Sequence, residues 1–89
     1  MKIKVELIVA RINGKVIFAE ALNDCYDEVQ VIVNKNDLDE ESIECLSCVG
    51  WISIYDDAFN MQGEAKDSTG TYGNLVVAIE TKEIELEDL

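Results

Sequence analysis

The stretch 3–22, IKVELIVARINGKVIFAEAL, constrains the fold most, because it reads as a single β-hairpin closed at Asn13-Gly14. A type I′ turn needs positive φ at both central positions, and Asn-Gly tolerates this better than almost any other pair. A tight two-residue turn sets residues opposite one another in a fixed register. Val9 then faces Phe18, Ala10 faces Ile17 and Val5 faces Leu22. One face carries Val5, Leu7, Val9, Val16, Phe18 and Leu22, and the other carries Ile8, Ala10, Ile12, Ile17, Ala19 and Ala21. Both faces are apolar near the turn, so both need covering.

The rest of the chain supplies part of that cover. Asn23-Asp24 begins a turn, and EVQVIVN (28–34) is a third strand with Val29, Val31 and Val33 on one face. Asp37 followed by Glu40 resembles a capping box, and it predicts a short helix over 38–48. Leu38, Ile43, Leu46 and Val49 form its apolar stripe, and a strand from Ile43 to Val49 is the competing reading. Gly50 ends that element. WISIYD (51–56) is a fourth strand, with Trp51 and Tyr55 one way up and Ile52 and Ile54 the other. AFNMQ alternates weakly and could extend the sheet after a bend.

GEAKDSTGTYGN (63–74), with three glycines, reads as a long loop. LVVAIET (75–81) is a fifth strand, and KEIELEDL (82–89) continues it as an acidic edge or frays. The fold class is α+β. Residues 1–89 form one small β-rich domain, a twisted antiparallel sheet of about five strands with one short helix. A helix on one side leaves the other side of such a sheet partly bare, so a homodimer is expected.

Charge narrows the function. Nineteen acids stand against seven bases and no histidine, for a net charge of −12. Residues 1–35 balance five bases with five acids, whereas residues 36–89 set fourteen acids against Lys66 and Lys82. Without histidine the chain lacks the usual general base and every Ser-His or Cys-His pair, so no enzyme is expected. No apolar run approaches membrane-spanning length, and the N-terminus shows no leader pattern. The three cysteines therefore read as reduced thiols, and the expected location is the cytoplasm.

Two metal patterns fail. Cys45 and Cys48 form a CxxC late in the predicted helix and among acids, where they read as small buried hydrophobes. Counted as an EF-hand loop from Asp37, the sixth position is Ser42 and the twelfth is Cys48, where glycine and glutamate are required. No metal or other cofactor is expected.

Two binding patterns remain. Lys66, Ser68, Thr69 and Tyr72 lie in the 63–74 stretch, where hydroxyls, backbone donors and one ring could close over a nucleotide or other small ligand. The strand-glycine-helix context of a phosphate cradle is missing there. Direct binding to nucleic acid is disfavoured, since phosphate contacts need clustered Lys and Arg. The converse fits better: Asp37, Asp39, Glu40, Glu41, Glu44, Asp56 and Asp57 form a candidate surface for a basic, nucleic-acid-binding protein. Trp51, Tyr55 and Phe59 are candidate apolar anchors within it. Residues 37–44, 56–57 and 80–88 hold twelve acids, which would make a phosphate-like array if the fold gathered them on one side.

In size, acidity and lack of catalytic residues the chain resembles phage-encoded inhibitors of host defence or repair enzymes, a class that includes DNA mimics, anti-restriction and anti-CRISPR proteins. The resemblance is compositional and carries over no residue. It implies a non-enzymatic inhibitor or decoy in the cytoplasm, the host's if the gene is a phage's. The alternatives are a small-ligand or nucleotide-sequestering protein using the 63–74 stretch, and a structural β-module of a larger assembly.

Overall fold

The computed structural model describes residues 1–85 of the 89-residue chain. Strands β1 (Lys2–Ile12) and β2 (Lys15–Leu22) form the N-terminal hairpin. Asn13 and Gly14 take φ of 50° and 83°, the two positive values that a type I′ turn demands. The predicted cross-strand pairs do not survive beyond the turn. Ile12 faces Lys15 and Arg11 faces Val16, but the register then slips, so that Ala10 faces Phe18, Val9 faces Ala19 and Glu6 faces Leu22. Ile17 is the extra residue of a β-bulge. A slip of one residue exchanges the faces of everything beyond it. Phe18 and Leu22 consequently join Ile8, Ala10 and Ile12 on the inner side, while Ala19 and Ala21 turn outward with Leu7 and Val9.

Strand β3 (Glu28–Asn34) matches its predicted bounds, with Val29, Val31 and Val33 buried and the residues between them exposed. A 3₁₀ turn over Lys35–Asp37 leads into helix α1 (Glu40–Ser47), which is shorter than the predicted 38–48. Its N-cap is Asp39 and not Asp37, because the Asp39 carboxylate accepts a hydrogen bond from the Ser42 amide at 2.9 Å. The fourth predicted strand contracts to β4 (Ser53–Tyr55), and the weakly alternating AFNMQ belongs to β5 (Ala58–Glu64). The predicted 63–74 loop is ordered structure. The end of β5 passes into a single helical turn, α2 (Ala65–Ser68), followed by β6 (Gly70–Tyr72) and the long β7 (Leu75–Glu85).

The seven strands form two sheets, not the single five-stranded sheet predicted. The larger has the order β2-β1-β7-β6 and the smaller β3-β5-β4, with neighbours antiparallel throughout. β1 and β7 pair along their whole length, from Lys2 opposite Glu85 to Ile12 opposite Leu75. The core lies between the layers. Ile8, Ala10, Ile12, Leu75 and Val77 of the large sheet meet Val31, Val33, Phe59 and Met61 of the small one, with Leu46 of α1 closing the side. β1 and β7 run on past the end of β2, which makes the molecule elongated, with extents of 45 × 24 × 21 Å. Residues 82–85 continue β7 as the acidic alternation predicted, and the rest of that stretch (86–89) lies outside the described residues.

Candidate partner-binding surfaces

Local hydrogen bonds bring the predicted acidic residues of α1 and the β4–β5 turn to one end of the small layer. The Lys35 amide donates to the Asp57 carbonyl at 2.7 Å, which ties the Asp56-Asp57 turn to the segment carrying Asp37. Asp56 sits at φ 53°, a left-handed turn position that aspartate tolerates. Glu40 and Glu44 are one helical turn apart and both exposed. Acids in the first turn of α1 also have a local cause, since they face the positive end of the helix dipole. Residues 36–65 contain no Lys or Arg. Among the described residues, Asp37, Asp39, Glu40, Glu41, Glu44, Asp56 and Asp57 form no ion pair with a basic side chain.

Two of these acids also hold the fold together. Asn74 Nδ2 donates to Asp39 Oδ2 at 2.5 Å and to Glu41 Oε2 at 3.2 Å, and the Asn74 amide donates to Ser42 Oγ at 3.1 Å. The β6–β7 turn is thereby docked on the first turn of α1. The Ser42 backbone amide, the Asn74 side chain and the Ser42 and Asn13 side chains hold the Asp39 carboxyl below its ordinary pKa of 3.8. A lowered folded-state pKa adds stability that is present above the unfolded value and lost as pH falls through the folded one. The Tm gap between wild type and Asp39→Asn is therefore expected to be full near about pH 6 and to close toward about pH 2. A gap unchanged at the acid end would show that the carboxylate charge is not its source.

The acids of β7 lie elsewhere. Ten residues of strand separate Leu75 from Glu85, about 33 Å at the usual rise, so Glu83 and Glu85 sit far from the turn that docks on α1. There they meet the bases of β1: Lys2 Nζ lies 3.5 Å from Glu83 and the N-terminal amine 3.8 Å from Glu85. Glu80 is bridged by both terminal nitrogens of Arg11, which hold its carboxyl below the ordinary range. Of the twelve acids considered together in the sequence, the ten described ones are thus divided: seven lie on or near α1 and in the β4–β5 turn, while Glu80, Glu83 and Glu85 lie along β7 beside bases of β1.

The aromatic anchors are divided too. Trp51 is 48% exposed but lies beside Gln62, Gly63, Asp67 and Ser68, away from the Asp56-Asp57 turn. Tyr55 is exposed next to that turn, whereas Phe59 is wholly buried and belongs to the core.

The hydroxyls predicted to meet a small ligand are engaged within their own segment. Ser68 Oγ donates to the Glu64 carbonyl at 3.3 Å, Thr69 Oγ1 to the Lys66 carbonyl at 2.8 Å, and Tyr72 Oη to the Ser68 carbonyl at 3.4 Å. Burial pushes the Tyr72 hydroxyl pKa up. Lys66 Nζ lies 3.6 Å from Glu64, 3.9 Å from Asp67 and 4.9 Å from the Tyr26 ring centre. These contacts engage the hydroxyls and the ammonium, while Lys66 and Thr69 stay exposed and Ser68 lines a cavity of about 310 Å³ with Trp51, Gln62, Gly63 and Asp67.

A groove that the sequence reading missed lies on the outer face of the small sheet. Gln30, Ile32, Tyr55, Ala58 and Asn60 line about 400 Å³ there. Asn60 Oδ1 is buried and finds no hydrogen-bond partner among the described residues. The signal was present in the alternation of β3, which turns Gln30 and Ile32 away from the three valines. The partner strand β5 could not be placed from AFNMQ, so the floor of the groove was invisible.

Among the described residues no group of three or more Cys, Asp or Glu is arranged to hold a metal ion, and the three cysteines are free thiols. No helix among them is long and apolar enough to cross a membrane. Comparison with known protein families, with curated proteins and with solved structures returns no match.

Proposed function

We propose that this chain is a non-enzymatic binding protein that engages a basic, nucleic-acid-binding protein through the acidic end formed by α1 and the β4–β5 turn. It acts as an inhibitor or decoy in the cytoplasm, the host's if the gene is a phage's. One observation carries this reading: seven acids from a stretch without a single base lie on or near α1 and in the turn whose backbone is tied to the segment before it, and among the described residues none forms an ion pair with a basic side chain. Two of the seven are firmly mounted, since the Asp39 and Glu41 carboxylates accept from Asn74, and the backbone of Asp57 is tied to that of Lys35. Fixed carboxylates present their charge without the entropy loss of ordering long side chains on binding. Duplex DNA sets one charge per about 1.7 Å of axis, so a groove shaped for it attracts several carboxylates on one side rather than one or two.

The test spares the two structural acids. Asp37, Glu40, Glu44 and Asp57 are changed together to lysine, and partner capture from lysate is compared with wild type at two salt concentrations. Capture is expected to vanish in the variant, to be displaced by duplex DNA, and to weaken as the Debye length falls from about 10 Å at 0.1 M salt to about 3 Å at 1 M. Capture that persists in the variant, or that ignores salt and DNA, defeats the proposal.

The groove around Asn60 supports a second reading, a small-ligand binder. The buried Oδ1 would accept from an N–H donor while Ile32 and Tyr55 cover a flat apolar body. A thermal-shift screen against nucleobases tests it, with Asn60→Ala expected to abolish any hit.

A further inference from the structure

We infer that the outer face of the four-stranded sheet is where a second copy of this chain packs, giving a face-to-face dimer with its acidic ends turned outward. Among the described residues no element packs on this face. The small sheet, α1 and the whole core cluster lie on the other side. Strand pairing lays out the face row by row: Val16, Arg11, Val76 and Thr71 across all four strands, then Ala19, Val9 and Ala78, then Ala21, Leu7 and Glu80. Val5 with Lys82 and Ile3 with Ile84 continue it along the β1–β7 arm. Val16 and Val76 are 48% and 44% exposed, and Ile3 and Ile84 are exposed as well. Val9 is only 3% exposed yet lies outside the core cluster. The Arg11–Glu80 bridge runs from the first row to the third, so it spans the row in which Val9 lies.

Charge identifies the occupant. Of all the acids in residues 1–85, Glu80 alone alternates onto this face, where Arg11 neutralises it, and Lys82 is the remaining charge. A chain of net charge −12 thus keeps one broad surface free of excess acid. Two copies approaching by the end that carries α1 and the β4–β5 turn bring uncompensated carboxylates together, a repulsion that grows as water is excluded. Approaching by the outer face of the large sheet they bury aliphatic rows, and a two-fold axis can set the Arg11 of each copy near the Glu80 of the other. The four strands, of 11, 8, 3 and 11 residues, cover roughly 500 Å² in projection at about 3.3 Å per residue and about 4.8 Å between strands, and more over the relief of the side chains. That is of the order of the ~800 Å² per partner of a standard stable interface. The face therefore supplies, in area and in charge, what self-association requires.

The experiment is sedimentation equilibrium on the full chain. Wild type, with a chain mass of 9.9 kDa, is expected to sediment at twice that mass at about 10 μM. Association should tighten in 1 M salt, the opposite of the salt response expected for capture of a basic partner, so the two proposals fail independently. Val16→Asp with Val76→Asp should sediment as monomer with an unchanged far-UV circular dichroism spectrum. Should that pair fail to fold, Val16→Thr with Val76→Thr keeps the branched shape and is expected to raise Kd about 10-fold or more. Ile32→Asp with Tyr55→Asp, on the small sheet, should leave the dimer intact. A wild-type monomer at about 100 μM in high salt overturns the inference. So does a dimer that survives both large-sheet pairs, or one that dissolves with the small-sheet pair.

Discussion

Phe59→Ala is expected to lower the free energy of unfolding by about 3–5 kcal/mol, measured as a fall in the urea midpoint at constant m-value. Phe59 is wholly buried on the central strand of the small sheet, between Val33 on β3 and Ile54 on β4. Its ring points at the large sheet, and the Lys35 ammonium caps it at 5.4 Å from the centre. Truncation leaves a void between two hydrogen-bonded sheets, and neither can close on it without breaking its own ladder. Domains of this size have about 5–15 kcal/mol in total, so the variant is expected to lie near its folding threshold. A loss below about 1 kcal/mol would mean that the two sheets are not packed through this ring.

Gly73→Ala is the second large effect, expected at about 2–4 kcal/mol. Gly73 has φ 65° as the first residue of the two-residue β6–β7 turn, a position at which a II′ turn takes glycine. An added Cβ would stand 2.9 Å from the Ser42 amide nitrogen and 3.0 Å from the Glu41 carbonyl, so the turn must lift off α1. That movement breaks the Asn74 bonds to Asp39, Glu41 and Ser42 together. Gly14→Ala is the matching control. It has φ 83° with open space around the new Cβ, so it carries the conformational cost without the collision. Chemical denaturation should rank Gly73→Ala as the more damaging by about 1 kcal/mol or more. Equal losses would show that the turn does not bear on α1.

The legible parts of this fold were those decided by near neighbours in the chain. Asn13-Gly14 announced its turn because few residue pairs accept two positive φ values. Val29, Val31 and Val33 announced the inner face of β3 through strict alternation. The short helix was visible as an acidic start before an apolar stripe, although the cap lay two residues later than expected. Tyr72-Gly73-Asn74-Leu75 carried a hairpin signal of its own, but the small polar residues before it disguised the one turn of helix and the three-residue strand. Those hydroxyls are spent on backbone carbonyls, which only the fold of the segment reveals.

By itself the sequence determined the β-rich class, the first turn, the third strand and the acid-rich, base-free stretch 36–65. Only the tertiary structure decided the register of β2, because a single bulged residue at Ile17 reverses which side every later residue faces. It alone decided that β1 and β7, at opposite ends of the chain, lie side by side, since pairing between distant strands leaves no local trace. That pairing sets Glu80 and Glu83 beside bases of the first strand while Asp37, Glu44 and Asp57 stay unpaired. Where charge collects on the surface is therefore a consequence of strand order, and composition could supply only its amount.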